Sequence, residues 1–469
     1  MSILDFDYGE DDQFEQDIDA LIHAYESSNP DAYFDINALE MIAMHYYESS
    51  QYEKSLAVMD QLLARQPLDA YSWLRRGILL GSLSRHQEAL QAFEKSLALN
   101  PGDSEAMMNM GVTYNLMDTN DQALECFKKA IQLDPLNDEA HYSIGHIHAV
   151  DERYNDALEA FEACSKINPE HPDVWFDLAH CYHVLEDYPA SLDASKRHID
   201  IDPYSSESWY NQALVLTQMD RFEEALDCYQ YTLDIDPDFI PAHNNRGNVL
   251  SHLERYDEAL LSYQEVITRK GEDATAYCNM GFAMNEKGDT DRGMRFFEKA
   301  KKLDPHLPDV WYGIGQTYFI QEKYRMAIKA LTKATKLDPD DMDYLHQKAQ
   351  AELLGGQLQK ARKSLTKLTA LVPDDDQAWL EYASVLTILH AHEEAKVACK
   401  NAIRLNPDSP TAWFYYTGIL LMLEDLELAK DALSKSIHLD PKMKDLFRKH
   451  CPPDLAVHPL FQEYFDEEK

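Results

Sequence analysis

The sequence predicts an all-α fold of helical hairpins stacked in tandem as a solenoid, and three columns of residues predict it. Between residues 36 and 443 the chain repeats every 34 residues without insertion or deletion. The repeats begin at residues 36, 70, 104, 138, 172, 206, 240, 274, 308, 342, 376 and 410. All six tryptophans (Trp73, Trp175, Trp209, Trp311, Trp379, Trp413) fall at the fourth place of a repeat. The eighth place is always small: Gly77, Gly111, Gly145, Gly247, Gly281 and Gly315, with Ala43, Ala179, Ala213, Ala349, Ala383 and Thr417. A proline closes eleven of the twelve repeats, from Pro67 to Pro441, and Gly271 stands in the exception. Columns that share one register describe one supersecondary unit that buries its apolar face against the next copy.

Residues 308–341 show how each repeat divides. Trp311, Ile314, Gly315 and Tyr318 share a face at helical spacing and define a first helix. After a short polar turn, Ala327, Leu331 and Ala334 define a second, and Pro339 stops it because proline cannot continue the backbone ladder. The small eighth place is expected to let the first helix approach the second. There the twentieth place is also small (Ala89, Ala123, Ala157, Ala225, Ala259, Gly293, Ala327).

The two ends break the register. Residues 1–35 carry eleven Asp or Glu and no Lys or Arg. Phe14, Ile18, Leu21, Ile22 and Tyr25 recur there at helical spacing, so an acidic lead-in is expected to become a capping helix that stops before Asn29-Pro30. An acidic docking tail is the other reading. In residues 444–469, Leu446, Phe447, Leu460, Phe461 and Tyr464 predict a second helical cap, with a linear motif for a partner as the alternative.

Composition removes several classes of function. With 43 basic against 83 acidic residues, general binding to nucleic acid or anionic membranes is not expected. No apolar run approaches the roughly 20 residues that cross a bilayer. The opening stretch MSILDFDYGEDDQFEQDID lacks the basic and apolar regions of a secretory signal. Cys126, Cys164, Cys181, Cys228, Cys278, Cys399 and Cys451 are scattered, odd in number and free of CxxC spacing. Free buried thiols in a reducing compartment follow, and a cytoplasmic location is expected. Much of the acidity sits where helices begin (Glu105, Glu139, Asp173, Glu207, Asp309, Asp343), complementing exposed amides. A counter-current runs from Lys287 to Lys367, with 16 Lys or Arg against 11 Asp or Glu. It includes Arg325, Lys329, Lys333, Lys336, Arg362, Lys363 and Lys367, which read as a solvated helix face or as a docking strip for something acidic.

Catalytic signatures are missing. The chain has no P-loop, no GxGxxG after a strand, no GxSxG elbow and no HExxH. The repeats leave no segment long enough for a separate catalytic domain, so neither enzyme activity nor a cofactor is expected. His141, His146, His148, His180 and His183 are the best metal candidates. Equivalent atoms in adjacent repeats lie about 8–10 Å apart, however, which is too far for shared zinc. His141 and His148 also replace packed aromatics, so no metal is expected either.

The order of residues in 308–341 resembles the tetratricopeptide repeat pattern, W-x2-L-G-x2-Y…A-x3-F…P. That resemblance implies a right-handed superhelix whose first helices line a concave groove and whose second helices form the convex face. It implies that places 2, 5, 6, 9, 12 and 13 look into the groove. Asn109, Asn211, Asn245 and Asn279 occupy place 6 and resemble the asparagine ladder of the O-linked N-acetylglucosamine transferase repeats. Those side-chain amides hold an extended peptide by its backbone, donating and accepting at once. Asp177, Ser143 and Gly313 interrupt the ladder, and Tyr142, Phe176, Tyr210, Asn244, Asn248, His252, Asn285 and Tyr312 surround it. The family's carboxylate clamp for chaperone tails is not reproduced. Arg75 and Arg246 are its nearest candidates, and the Lys/Asn company is missing.

The resemblance therefore implies a non-catalytic scaffold or adaptor that takes a peptide or helix of a partner protein. A regulatory subunit of a separately encoded enzyme is the alternative from another class. The alternative within binding is a self-assembling scaffold, a homo-oligomer whose acidic N-terminus meets the basic convex strip of another copy. Far-ultraviolet circular dichroism is expected to show helix and no sheet, and an appreciable sheet signal would defeat the repeat assignment.

Overall fold

The computed structural model describes residues 8–27, 33–451, 453 and 458–465, with the side chains of 8–17 and 463 excepted. Residues 1–7, the Asn29-Pro30 stop and the Phe14 side chain therefore lie outside what is described. All regular structure among the described residues is helical: 26 α-helices and one short 3₁₀ turn, Gln462–Tyr464. The chain divides into two compact units, one ending at Ile235 and the other starting at Asp236.

The first unit holds α1 (Tyr8–Ser27) and six antiparallel pairs. These are α2 (Ile36–Glu48) with α3 (Tyr52–Arg65), α4 (Ala70–Ser82) with α5 (His86–Leu99), and α6 (Ser104–Leu116) with α7 (Asn120–Leu133). Then come α8 (Asp138–Val150) with α9 (Tyr154–Ile167), α10 (Val174–Val184) with α11 (Tyr188–Ile201), and α12 (Ser206–Gln218) with α13 (Phe222–Ile235). The second unit pairs α14 (Ile240–His252) with α15 (Tyr256–Lys270), α16 (Ala274–Glu286) with α17 (Thr290–Leu303), and α18 (Pro308–Ile320) with α19 (Tyr324–Leu337). It continues with α20 (Met342–Leu354) and α21 (Leu358–Leu371), α22 (Asp376–Ile388) and α23 (His392–Leu405), α24 (Pro410–Met422) and α25 (Leu426–Leu439), and ends with α26 (Lys442–His450).

Each helix begins and ends for a local reason. The last place of the preceding repeat is the N-cap: the carboxylates of Asp35, Asp69, Asp103, Asp273, Asp341 and Asp375 accept backbone N–H groups of the first turn. Asn137, Ser205 and Ser409 do the same. Such a cap is worth about 1 kcal/mol. His171 holds this place before α10, and its Nδ1 accepts from Asp173 and Val174 at 3.3 and 3.2 Å. With Pro172 in the first position, that helix starts two residues late, at Val174 rather than 172.

The turn inside each pair is built on place 15, which adopts the left-handed backbone in all twelve repeats. Ten of these residues are not glycine, among them Glu152 (φ 59°) and Glu322 (φ 57°). Two bonds close the turn, as in Ser50 N–H to Tyr47 C=O at 2.9 Å and Gln51 N–H to Tyr46 C=O at 2.7 Å. They satisfy carbonyls the first helix leaves open.

The eighth place works differently from the sequence expectation. A Cβ on Gly111 would lie 2.6 Å from the Phe127 ring, and on Gly281 2.6 Å from Phe297. The missing side chain is filled by a ring from place 24 of the second helix, and the same holds for Gly145 with Phe161 and Gly247 with Tyr263. Close helix approach is instead governed by place 20, where Ala89, Ala123, Ala157 and Ala225 are fully buried. At that place Ser55 donates to the Ala43 carbonyl at 2.6 Å and Ser191 to the Ala179 carbonyl at 2.7 Å.

The tryptophans also differ from core residues. Each is half-buried, and its Nε1–H donates to the carbonyl of the preceding repeat's closing proline: Trp73 to Pro67 at 2.9 Å and Trp311 to Pro305 at 2.9 Å, for example. His243 makes the same contact with Pro237 at 2.9 Å. The proline column thus stops one helix and orients the next.

At the ends, Leu21, Ile22 and Tyr25 of α1 pack against the core of the first pairs. Phe447 of α26 and Phe461 are buried against the last pair. Six of the seven cysteines are buried free thiols, and Cys451 is half-buried. Burial pushes the Cys164 and Cys399 thiols up to about 12.

Because the Phe127 ring occupies the room that Gly111 leaves, Gly111→Ala is expected to cost about 1–3 kcal/mol as overpacking. Trimming the ring in Gly111→Ala/Phe127→Leu is expected to recover part of that loss. Urea denaturation of the two variants checks this, and additive losses would contradict it.

Candidate peptide-binding face

On each first helix, places 5, 6 and 9 share a side. The structure brings place 6 of one repeat against places 5 and 9 of the repeat before it. In the first unit, the Tyr142 hydroxyl (place 5) donates to Asp177 Oδ2 (place 6) at 2.8 Å. Arg75 Nη2 (place 6) reaches the Met44 sulfur (place 9) at 3.6 Å. In the second unit, Asn279 Nδ2 (place 6) donates to Asn248 Oδ1 (place 9) at 3.4 Å. Glu381 (place 6) has both carboxylate oxygens 3.0 Å from His346 Nε2 (place 5). It also accepts from Gln350 Nε2 (place 9) at 3.0 Å. Neighbouring first helices are therefore cross-linked on this face.

Desolvation shapes the titration of these groups. Burial raises the Asp177 carboxyl above the usual carboxylate range, although the Tyr142 hydroxyl bond works the other way. Burial, and then the neighbouring Asp177, push the Tyr142 phenol far up. Burial alone is the main reason Tyr312 rises to about 12. His346 is held above the ordinary imidazole value by its bond to Glu381, against desolvation.

Asn109 spends its Nδ2 on the Glu105 carbonyl of its own helix, at 2.9 Å. Asn211 is half-buried and makes no hydrogen bond within the described residues. Phe176 lies against His198, with ring centroids 5.6 Å apart, and Tyr210 against Tyr229 at 6.1 Å. In the second unit Asn248 also accepts the Tyr263 hydroxyl at 2.8 Å. Asn244 is half-buried with its Oδ1 enclosed, and Asn245 is half-buried beside it. Tyr312 packs between Phe282 and Tyr344, at 6.0 and 4.9 Å.

Asn285 is the correction. Expected on the groove, it is only 4% exposed. Its Nδ2 donates to Thr317 Oγ1 at 2.9 Å, and Thr317 Oγ1 approaches its Oδ1 at 3.3 Å. A Cβ on Gly293 would lie 2.5 Å from that Oδ1. The glycine at place 20 makes room for an amide that belongs to the core.

The cations of the second helices are only partly available. Arg362 pairs with Glu394 at 2.7 Å, Lys367 with Asp340 at 3.1 Å, and Lys333 lies 3.7 Å over the Trp311 ring. Arg325, Lys329, Lys336 and Lys363 make no ion pair within the described residues. Burial lowers the pKa of His141, His148 and His183. Among the described residues no group of three or more His, Cys, Asp or Glu side chains is placed to hold a metal ion. No described helix is long and apolar enough to cross a membrane.

Sequence reasoning missed the cross-links of places 5, 6 and 9. Their signal was in the sequence: Asp177 and Glu381 stand at place 6 about one repeat after a tyrosine or histidine at place 5. Spacings of 31 and 35 residues bring the pairs together, and a column-by-column reading at 34 does not look for them.

Antiparallel helix pairs that recur every 34 residues, with small-residue columns inside and a polar first-helix face, define a helical-repeat scaffold. Models described as tetratricopeptide repeat match residues 40–104, 151–213, 206–239, 228–260, 274–307 and 308–341, and one described as TPR repeat matches 119–149. The chain belongs to the tetratricopeptide repeat family, whose arrays serve as protein-interaction scaffolds. No curated protein matches it. Among solved structures it is similar to the Cut9–Hcn1 hetero-tetramer of APC/C, at 15% identity over 94% of this chain and 95% of that one, with a TM-score of 0.41. It is similar to YrrB, a TPR protein with an unusual peptide-binding site, at 24% identity over 41% of this chain and 98% of that one, with a TM-score of 0.33. The MamA protein shares 21% identity over 35% of this chain and 90% of that one, with a TM-score of 0.34.

The His346–Glu381 pair implies a pH dependence of definite sign. A histidine whose pKa is raised by folding contributes stability in full below its unfolded value, about 6.5. That contribution is lost as pH rises through the folded value. The urea midpoint of the natural chain minus that of His346→Gln is therefore expected to shrink from pH 5.5 toward pH 8.5. A difference independent of pH would contradict the pairing.

Proposed function

We propose that the chain is a non-catalytic scaffold whose first-helix face holds a peptide or helix of a partner protein. The observation that carries the reading is Asn211, a half-buried amide on that face whose donors and acceptor are not spent on any described residue. An amide there serves a peptide backbone of any sequence. Asn109 supports it with an acceptor still open after its bond to Glu105. In the second unit Asn279 and Asn248 already bond each other, so a peptide would have to compete with that contact.

Each side-chain amide bond is worth about 0.5–1.5 kcal/mol net. Asn109→Ala/Asn211→Ala is thus expected to weaken a captured partner about 10- to 100-fold while the thermal midpoint moves little. Isothermal titration with a partner recovered from native lysate tests this. Unchanged affinity, with binding lost instead on charge reversal at Lys329 and Lys363, would transfer the site to the second-helix face.

A further inference from the structure

We infer that the groove between α22, α24 and α26 receives segment Met1–Phe14 of a second copy of this chain. A cavity of ≈ 380 Å³ opens there among Thr387, Phe414, Tyr415, Gly418, Met422 and Leu446. Helix α24, PTAWFYYTGILLM, carries no charged residue. One side of it, with Ala412, Tyr416, Ile419 and Leu420, is buried in the core. The other leaves Tyr415 and Met422 exposed, Met422 by 55%. A helix that is apolar all round is stable in water only when it is covered all round. At Gly418 an added Cβ would meet nothing within 4 Å, so the floor of the groove is open.

The rim has the opposite character. Helix α26, KMKDLFRKH, sets Lys442, Lys444, Arg448 and Lys449 against the single acid Asp445, in a chain with 83 acidic and 43 basic residues. Lys442 and Lys449 lie one turn to either side of the exposed Leu446. An apolar floor with a cationic rim fits a short segment that alternates large apolar side chains with carboxylates. Segment 1–14, MSILDFDYGEDDQF, has that chemistry: Ile3, Leu4 and Phe6 interleave with Asp5 and Asp7, Glu10, Asp11 and Asp12 follow, and no Lys or Arg occurs. The second-helix cations fit it less well, because Arg362, Lys367 and Lys333 are already engaged. Each copy offers one segment and one groove, a heterologous contact that adds copies one after another.

This inference does not use the amide positions of α6 and α12, so the two readings fail separately. The test uses the full chain and a fluorescent synthetic peptide of residues 1–14. Light scattering is expected to show a mass that rises with concentration and returns to that of one chain in excess peptide. Peptide anisotropy is expected to report binding that weakens at least tenfold in Met422→Glu, whose site is exposed, and in Gly418→Leu, which fills the cavity. Circular dichroism checks that both variants keep their helix. Lys442→Glu/Lys449→Glu is expected to weaken binding and flatten its salt dependence, and a peptide with Leu4→Ser and Phe6→Ser is expected not to bind. A one-chain mass at every concentration overturns the inference. So does peptide binding that is undetectable, or equal in the natural chain and Met422→Glu.

Discussion

The contact on which the array depends is the ring of place 24 lying over the bare backbone of place 8. Phe127 on Gly111, Phe161 on Gly145, Tyr263 on Gly247 and Phe297 on Gly281 repeat one interlock. Its two halves are complementary in volume. Where place 8 gains a methyl group, as in Ala43, Ala179 and Ala383, place 24 shrinks to Met59, Ser195 and Cys399. Interiors packed at crystal-like density tolerate little change in total volume, so the pair varies together. Ala213 with Tyr229 keeps the ring, and nothing in the structure explains that exception.

The same economy governs the polar face. Place 6 looks outward on a single hairpin, yet in the array it meets places 5 and 9 of the repeat before it. Side chains there serve two purposes, joining neighbouring repeats and presenting hydrogen-bonding groups. Asp177 and Glu381 serve the first, since their oxygens are taken by Tyr142 and by His346 with Gln350. Asn211 is left for the second. Recognition on such a face is therefore concentrated at the few positions that stacking does not consume.

Charge follows a similar division. N-cap carboxylates such as Asp103 and Asp341 bond the amides of their own helices, so part of the net negative charge reflects helix starts. The exposed ion pairs of the second helices contribute little to stability, because solvent screens them. What stands apart is the short basic helix α26 beside an uncharged α24, where a cationic rim borders an apolar floor.

The sequence by itself determined the period, the hairpin and its direction changes. Those rest on local chemistry: helical periodicity, the small columns, the proline that stops each second helix. Local reading was wrong in particular places. Asn285 was expected on the groove because the family resemblance implies that place 12 looks into it, whereas Gly293 opens a recess into which the amide turns. Local reading aligned the tryptophans in one column but did not show that they lie half-exposed and bond the proline carbonyl six residues back. It expected place 8 to bring backbones together, where it in fact admits a ring. Only tertiary structure decides these points, because each depends on the shape of a space bounded by two helices. One helix's own sequence states what it can offer to that space and leaves open what already fills it.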